Sequence, residues 1–157
     1  NRTIASRERS KGVGRLKALY LETSALLAWM LGEPSGSQVK SCVDAAQTIA
    51  TSQLTLLEAE RALIRAESQR ILKAGEVERI RGLLHRSKAA WVLMEVAEEV
   101  RGRASRAFPN EPIRTLDAIH LASALLFMRI FPELELLSHA ARILQNAASL
   151  GISIAQS

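Results

Sequence analysis

Three acids occupy positions where a carboxylate is costly. Glu22 separates the apolar run of residues 18–21 from a second apolar segment at 25–31. Glu58 lies in "TSQLTLLEAERAL", about a turn after the β-branched stretch "TIATS". Asp117 opens the apolar stretch "TLDAIHLASALLFMRIF", just after a loop carrying Pro109 and Pro112. Burying a lone charge is expensive, so each acid needs an edge position, a partner or a task. Taken one at a time, an acid in a first helical turn only complements the helix dipole, at about 0.3–1 kcal/mol. Taken together they point to more. Carboxylates that converge repel one another unless a cation holds them. A hard divalent ion such as Mg²⁺ or Mn²⁺ suits oxygen ligands. Such an ion on such ligands performs phosphodiester cleavage by activating water and neutralising developing charge.

The elements that must position these acids follow from the pattern. "ALYL", "TIATS", "ELELLS" and "ISIA" are short, apolar or β-branched runs that predict strands, and "WVLMEV" reads as a strand or as the start of the helix that follows it. Between them lie longer segments of helical spacing: "SALLAWML" ending at Gly32, "SGSQVKSCVDAAQ", "QLTLLEAERALIRAESQRIL", "EVERIRGLLHRSKAA", "AEEVRGRASRAF", the segment opening at Thr115, and "HAARILQNAASL". Thr23 or Ser24 is the expected cap of the first helix and Thr115 of the helix bearing Asp117. Strands alternating with helices predict an α/β fold, a three-layer α/β/α arrangement around a parallel sheet of about five strands. In open sheets of this kind ligands bind beyond the carboxyl ends of the strands, where Glu22 falls. Residues 1–17, "NRTIASRERSKGVGRLK", lack periodicity and are expected to be a flexible basic tail, with the domain spanning 18–157.

Composition narrows the function classes. The 157 residues suit one domain, and 48% apolar residues suffice for a sizeable core. With 21 basic against 16 acidic residues the chain carries net +5, which favours an anionic partner such as nucleic acid. Cys42 is the lone cysteine, which excludes an intrachain disulfide and fits a reducing, cytoplasmic setting. No apolar run reaches the roughly 20 residues of a membrane span. There is no Gly-rich phosphate loop, no zinc-like Cys/His cluster and no His partner evident for Cys42.

The motifs resemble those of the PIN domain, and most of all the small VapC-type ribonuclease toxins, from about Leu16 to the C-terminus. "YLETSALL" resembles the first-strand motif, with Glu22 where the family ordinarily has Asp. "TSQLTLLEAERAL" matches the second, through Ser52, Glu58 and Arg61-Ala62-Leu63. "RTLDAIHLASAL" is the most specific match and supplies Asp117. "LLSHAARILQNAASLGISI" resembles the last motif, but Ser138, His139 and Ala140 stand where the family usually has Thr-x-Asp. The resemblance implies a metal-dependent endoribonuclease, the toxin of a toxin–antitoxin pair, that acts on RNA, pairs with a protein antitoxin and forms a homodimer. It implies Glu22, Glu58 and Asp117 as metal ligands and catalytic acids, with Mg²⁺ or Mn²⁺. Ser24, Thr115 and His139 are candidate supporting residues. Glu22 adds a methylene and Ala140 removes an acid, which leaves an alternative from another class: a PIN-fold RNA- or protein-binding module with weakened or lost catalysis. A DNA-binding role for the tail has only composition behind it.

Overall fold

The structure, a computed structural model, describes residues 18–156, so the predicted tail at 1–17 lies outside the described residues. Five strands form one parallel sheet: β1 Ala18–Leu21, β2 Thr48–Ser52, β3 Val92–Met94, β4 Glu135–Leu137 and β5 Ser153–Ile154. Seven helices connect them: α1 Thr23–Met30, α2 Gly36–Ala45, α3 Gln53–Ser68, α4 Ala74–Lys88, α5 Glu98–Ala104, α6 Thr115–Ile130 and α7 Ala141–Ser149. The strand order is β3-β2-β1-β4-β5, every neighbouring pair is parallel, and β1 sets Leu19 beside Ile49 on β2 and beside Glu135 on β4.

Strand alternation divides the core in two. Leu19 and Leu21 of β1 point to one face and pack with Leu26, Val39, Leu63, Val77 and Ile80 of α1 to α4. Tyr20 points to the other face and packs with Leu121, Phe127, Ile143 and Ala147 of α6 and α7. Val100 of α5 packs on Ala122 and Leu126, so α6 is covered from both sides. That explains why its sequence is apolar nearly all round rather than striped.

The chain builds outward from β1 through β2 to β3, then returns to place β4 on the far side of β1. The order therefore reverses between β1 and β4, and a crevice opens at their carboxyl ends. Glu22 leaves β1 at that crevice and Ser138 leaves β4 there. The loop before α6 is fixed from below by buried Asn146, which accepts from Asn110 N at 2.9 Å and donates to Asn110 O at 3.0 Å.

Candidate active site

Glu22 is only 5% exposed, and its burial is satisfied by short polar side chains from both sides of the switch point. Its Oε2 accepts from Ser24 N at 3.1 Å, from the Ser24 hydroxyl, and from Ser138 Oγ at 2.7 Å. Glu22, not Thr23 or Ser24, is thus the N-cap of α1: its extended backbone lets its own carboxylate reach the Ser24 amide. The serines are held in turn. Ser24 Oγ accepts from His139 N at 2.8 Å and Ser138 Oγ from Ala140 N at 3.0 Å. The added methylene of Glu22 is accommodated by this cradle.

Glu58 reaches the same edge from α3. Its Oε1 lies 2.6 Å from His120 Nε2 and accepts from Thr23 Oγ1 at 2.8 Å. The same His120 Nε2 lies 3.9 Å from Glu22 Oε1, so one buried imidazole edge faces two carboxylates. The other ring nitrogen, Nδ1, is 2.9 Å from the Tyr20 hydroxyl. Burial, and then the charges of Glu22 and Glu58, push the Tyr20 phenol far up, so its hydroxyl stays protonated beside Nδ1. The Nε2 edge of the ring is thereby turned toward Glu58. Burial raises the Glu58 carboxyl, but the hydrogen bond and charge of His120 and the hydrogen bond from Thr23 outweigh it, and the net direction is down.

Asp117 comes from the first turn of α6 and is half-buried. Burial, and then the charge of Glu22, push its carboxyl above the usual aspartate range, against the opposing charges of His120, Arg114 and Arg142. It makes no hydrogen bond or ion pair with the described residues. Three acids from three separated segments therefore meet at one edge, two of them beside one imidazole and the third in the field of Glu22.

The supporting candidates separate. Ser24 is in direct contact with Glu22. Thr115 is the exposed first residue of α6 and does not cap it; Arg114 holds the N-cap position without a side-chain bond. The His139 side chain is exposed, and its backbone amide reaches the cradle. Thr23, His120 and Ser138 touch the acids directly, and Tyr20 reaches Glu58 through His120; the spacing of the acids alone points to none of the four. Tyr20 carries a legible signal: it is the strand residue on the face opposite Leu19 and Leu21, with a hydroxyl that needs a buried partner.

The donors suit a hard divalent ion in kind. They are carboxylates, and Glu22 Oε1 and Glu58 Oε2 accept no hydrogen bond from the described residues. The arrangement is open: among the described residues no three His, Cys, Asp or Glu side chains are gathered closely enough to form a ligand set. Glu58 Oε1 is committed to His120 and Thr23, which leaves one of its oxygens for an ion.

The PIN domain family model matches residues 19–127. Ribonuclease VapC35 of Mycobacterium tuberculosis (strain ATCC 25618 / H37Rv) is 33% identical over 138 residues, covering 87% of this chain and 94% of that protein. Ribonuclease VapC46 of the same strain is 32% identical over 141 residues, covering 88% and 97%. Among solved structures, a toxin–antitoxin complex from Klebsiella pneumoniae includes a chain with TM-score 0.59 and 19% identity, covering 88% of this chain and 97% of that one. The extent of the family match, which takes in all three acids, and these two close relatives show that the chain belongs to the PIN-domain family.

Proposed function

We propose that this protein is a divalent-metal-dependent endoribonuclease and the toxin of a toxin–antitoxin pair. The observation that carries the reading is the meeting of Glu22, Glu58 and Asp117 at the switch point of a parallel sheet, with Asp117 in the repulsive field of Glu22. Relatives named as ribonucleases supply the reaction class, and the solved toxin–antitoxin complex of the same fold supplies the partner.

In this reading Glu22, Glu58 and Asp117 would hold an Mg²⁺ or Mn²⁺ ion, which when bound would supply Lewis acidity toward water and positive charge for the phosphate. The chain's own residues set the geometry. Ser24 and Ser138 fix the Glu22 carboxylate from both sides of the switch point. Tyr20 and His120 orient Glu58 and keep its proton off, as an ion ligand requires. Arg114 and Arg142 set positive charge beside Asp117, where an RNA phosphate arrives. The protein acts in the cytoplasm as a homodimer until an antitoxin binds; no helix among the described residues is long and apolar enough to cross a membrane.

The test is cleavage of a labelled single-stranded RNA with Mn²⁺ or Mg²⁺ and with chelator. Metal-dependent cutting that Asp117→Asn removes supports the reading, and cutting that survives Asp117→Asn overturns the site. The open arrangement of the donors favours one second reading, a PIN-fold module that binds RNA or protein without cutting it. It takes over if the parent binds no metal and cuts nothing.

A further inference from the structure

A second feature lies beside the acids and is used by neither the metal nor the cradle. Between the end of α5 and the start of α6 is a cavity of about 370 Å³. Arg106, Arg114 and Thr115 line it, with Ala107 and Ile113 as apolar wall. Its lining also includes Ala118 in the first turn of α6, the turn that carries Asp117, and Arg114, whose charge acts on Asp117. Arg106 and Arg114 are exposed and make no side-chain hydrogen bond or ion pair with the described residues. The lining holds one acid, Glu111, and its two oxygens accept from Phe108 N at 3.0 Å and Ile113 N at 2.8 Å. Glu111 therefore braces the loop instead of neutralising the arginines. The loop is further tied to α7 through Asn110 and Asn146.

We propose that this cavity is a nucleotide subsite for single-stranded RNA: Arg114 and Arg106 take successive phosphates on one side of the scissile bond, and Ile113 and Ala107 contact the sugar and base. The chemistry follows from the wall. Two unpaired guanidiniums suit phosphate oxygens. The apolar residues offer contact area without base-specific donors or acceptors, and no aromatic ring lines the cavity, so the subsite reads backbone and shape more than base identity. Arg142, exposed on α7, also acts electrostatically on Asp117 and adds to the positive charge around it.

The inference rests on the ribonuclease reading above and deepens it by saying where the RNA lies. The test uses the full chain with Asp117→Asn, in chelator, and follows binding of a labelled single-stranded oligoribonucleotide by fluorescence anisotropy over a salt series. Arg106→Gln and Arg114→Gln are each expected to weaken binding about two- to fivefold, the range of an exposed charge contact. Each should also reduce the slope of log affinity against log salt by about 0.7. Arg79→Gln, an exposed arginine on α4 across the sheet, should change neither. Ala107→Trp fills the cavity from an exposed position without altering charge, and it too should weaken binding. Thermal melting confirms that each variant is folded. Equal losses for Arg79→Gln and the two cavity arginines would show diffuse attraction and overturn the subsite. So would unchanged binding in Ala107→Trp. If the subsite variants bind normally while the unsubstituted protein still cuts RNA with Mn²⁺, this inference falls and the ribonuclease reading stands. If there is neither binding nor cutting, both fall.

Discussion

A buried carboxylate with three donors on one oxygen and, among the described residues, none on the other is built to be used. Glu22 Oε2 is saturated by Ser24 and Ser138, and Oε1 lies 3.9 Å from His120 Nε2 with no hydrogen bond from the described residues. The cradle changes what a shorter acid would do. Glu22→Asp withdraws the carboxylate from Ser138, leaving buried hydroxyl and carboxylate groups incompletely paired, at a cost of about 1–3 kcal/mol read by urea denaturation. Ala140→Asp acts in the opposite direction. Ala140 is the N-cap of α7 and has no side-chain bond to offer. An aspartate there should cap the helix, adding about 0.5–2 kcal/mol, and should tighten Mn²⁺ binding in calorimetry by bringing a carboxylate to the edge where Ser138 meets Glu22. Asp117→Asn should lower metal-dependent cleavage by roughly two orders of magnitude or more, as loss of a catalytic charge does. In chelator it should raise the melting temperature. Burial and Glu22 hold the Asp117 carboxyl above its ordinary value, so the folded state loses stability as pH rises through that raised value, and asparagine has no proton to lose. Glu58 has the reverse sign. It is held below its ordinary value, so its contribution is full above the usual glutamate range and is lost as pH falls through its lower, folded value. His120→Phe removes the hydrogen bond responsible, and acid unfolding should then begin at higher pH, measured by circular dichroism. The three acids are legible in the sequence because each interrupts or opens an apolar run. The Tyr20–His120–Glu58 chain is not, because one-dimensional alternation says that Tyr20 is buried but not what it meets.

At the level of elements, the alternation of strand and helix and the parallel three-layer arrangement are legible, because strand runs and helical spacing differ in period. The ends are not. Hydroxyl residues suggest caps at Thr23 or Ser24 and at Thr115, yet the cap positions belong to Glu22 and Arg114, since all three hydroxyl residues already lie within the helices. The sequence segment "AEEVRGRASRAF" yields a helix only over Glu98–Ala104; the residues after it turn to line the cavity beside Asp117. One close approach is hidden in an unremarked residue. A Cβ on Gly36 would sit 2.4 Å from Ala28 O, a backbone atom, where α2 crosses the end of α1. Gly36→Ala must push these helices apart, and a cost of about 1–3 kcal/mol is expected by analogy with overpacked cores. Because α1 carries Thr23 and Ser24 into the site, the same substitution should reduce cleavage at temperatures where the protein is still folded. Unaltered stability in Gly36→Ala would show that α2 is free to shift.

For the whole molecule, the question is which surfaces meet other chains. Leu57 is 60% exposed, Ile64 41% and Ile71 69%. Leu57 and Ile64 are seven residues apart on α3 and share one face of it, and Ile71 follows just past its end, so exposed apolar side chains cluster along and beyond this helix. Elsewhere the exposed face of the α3–α4 pair is charged, with Arg81 paired to Glu60 and to Glu78. An apolar stripe with charged neighbours is the pattern of an association surface rather than of a solvated helix. The stripe begins at Leu57, next to Glu58, so a second copy docked along it would stand at the rim of the active site. The expected state is therefore a homodimer whose interface includes this stripe. Light scattering coupled to size exclusion should give twice the 17.2 kDa chain mass for the parent. Leu57→Glu with Ile64→Glu should give the single-chain mass, since two like charges on each of two facing stripes repel and are desolvated together. Both substituted side chains are exposed in the single chain, so its melting temperature in the monomeric state should change by less than about 0.5 kcal/mol of equivalent stability. A parent that stays monomeric over a hundredfold concentration range would remove the dimer. A dimer indifferent to both charges would move the interface off α3, and with it the argument that the second chain borders the site.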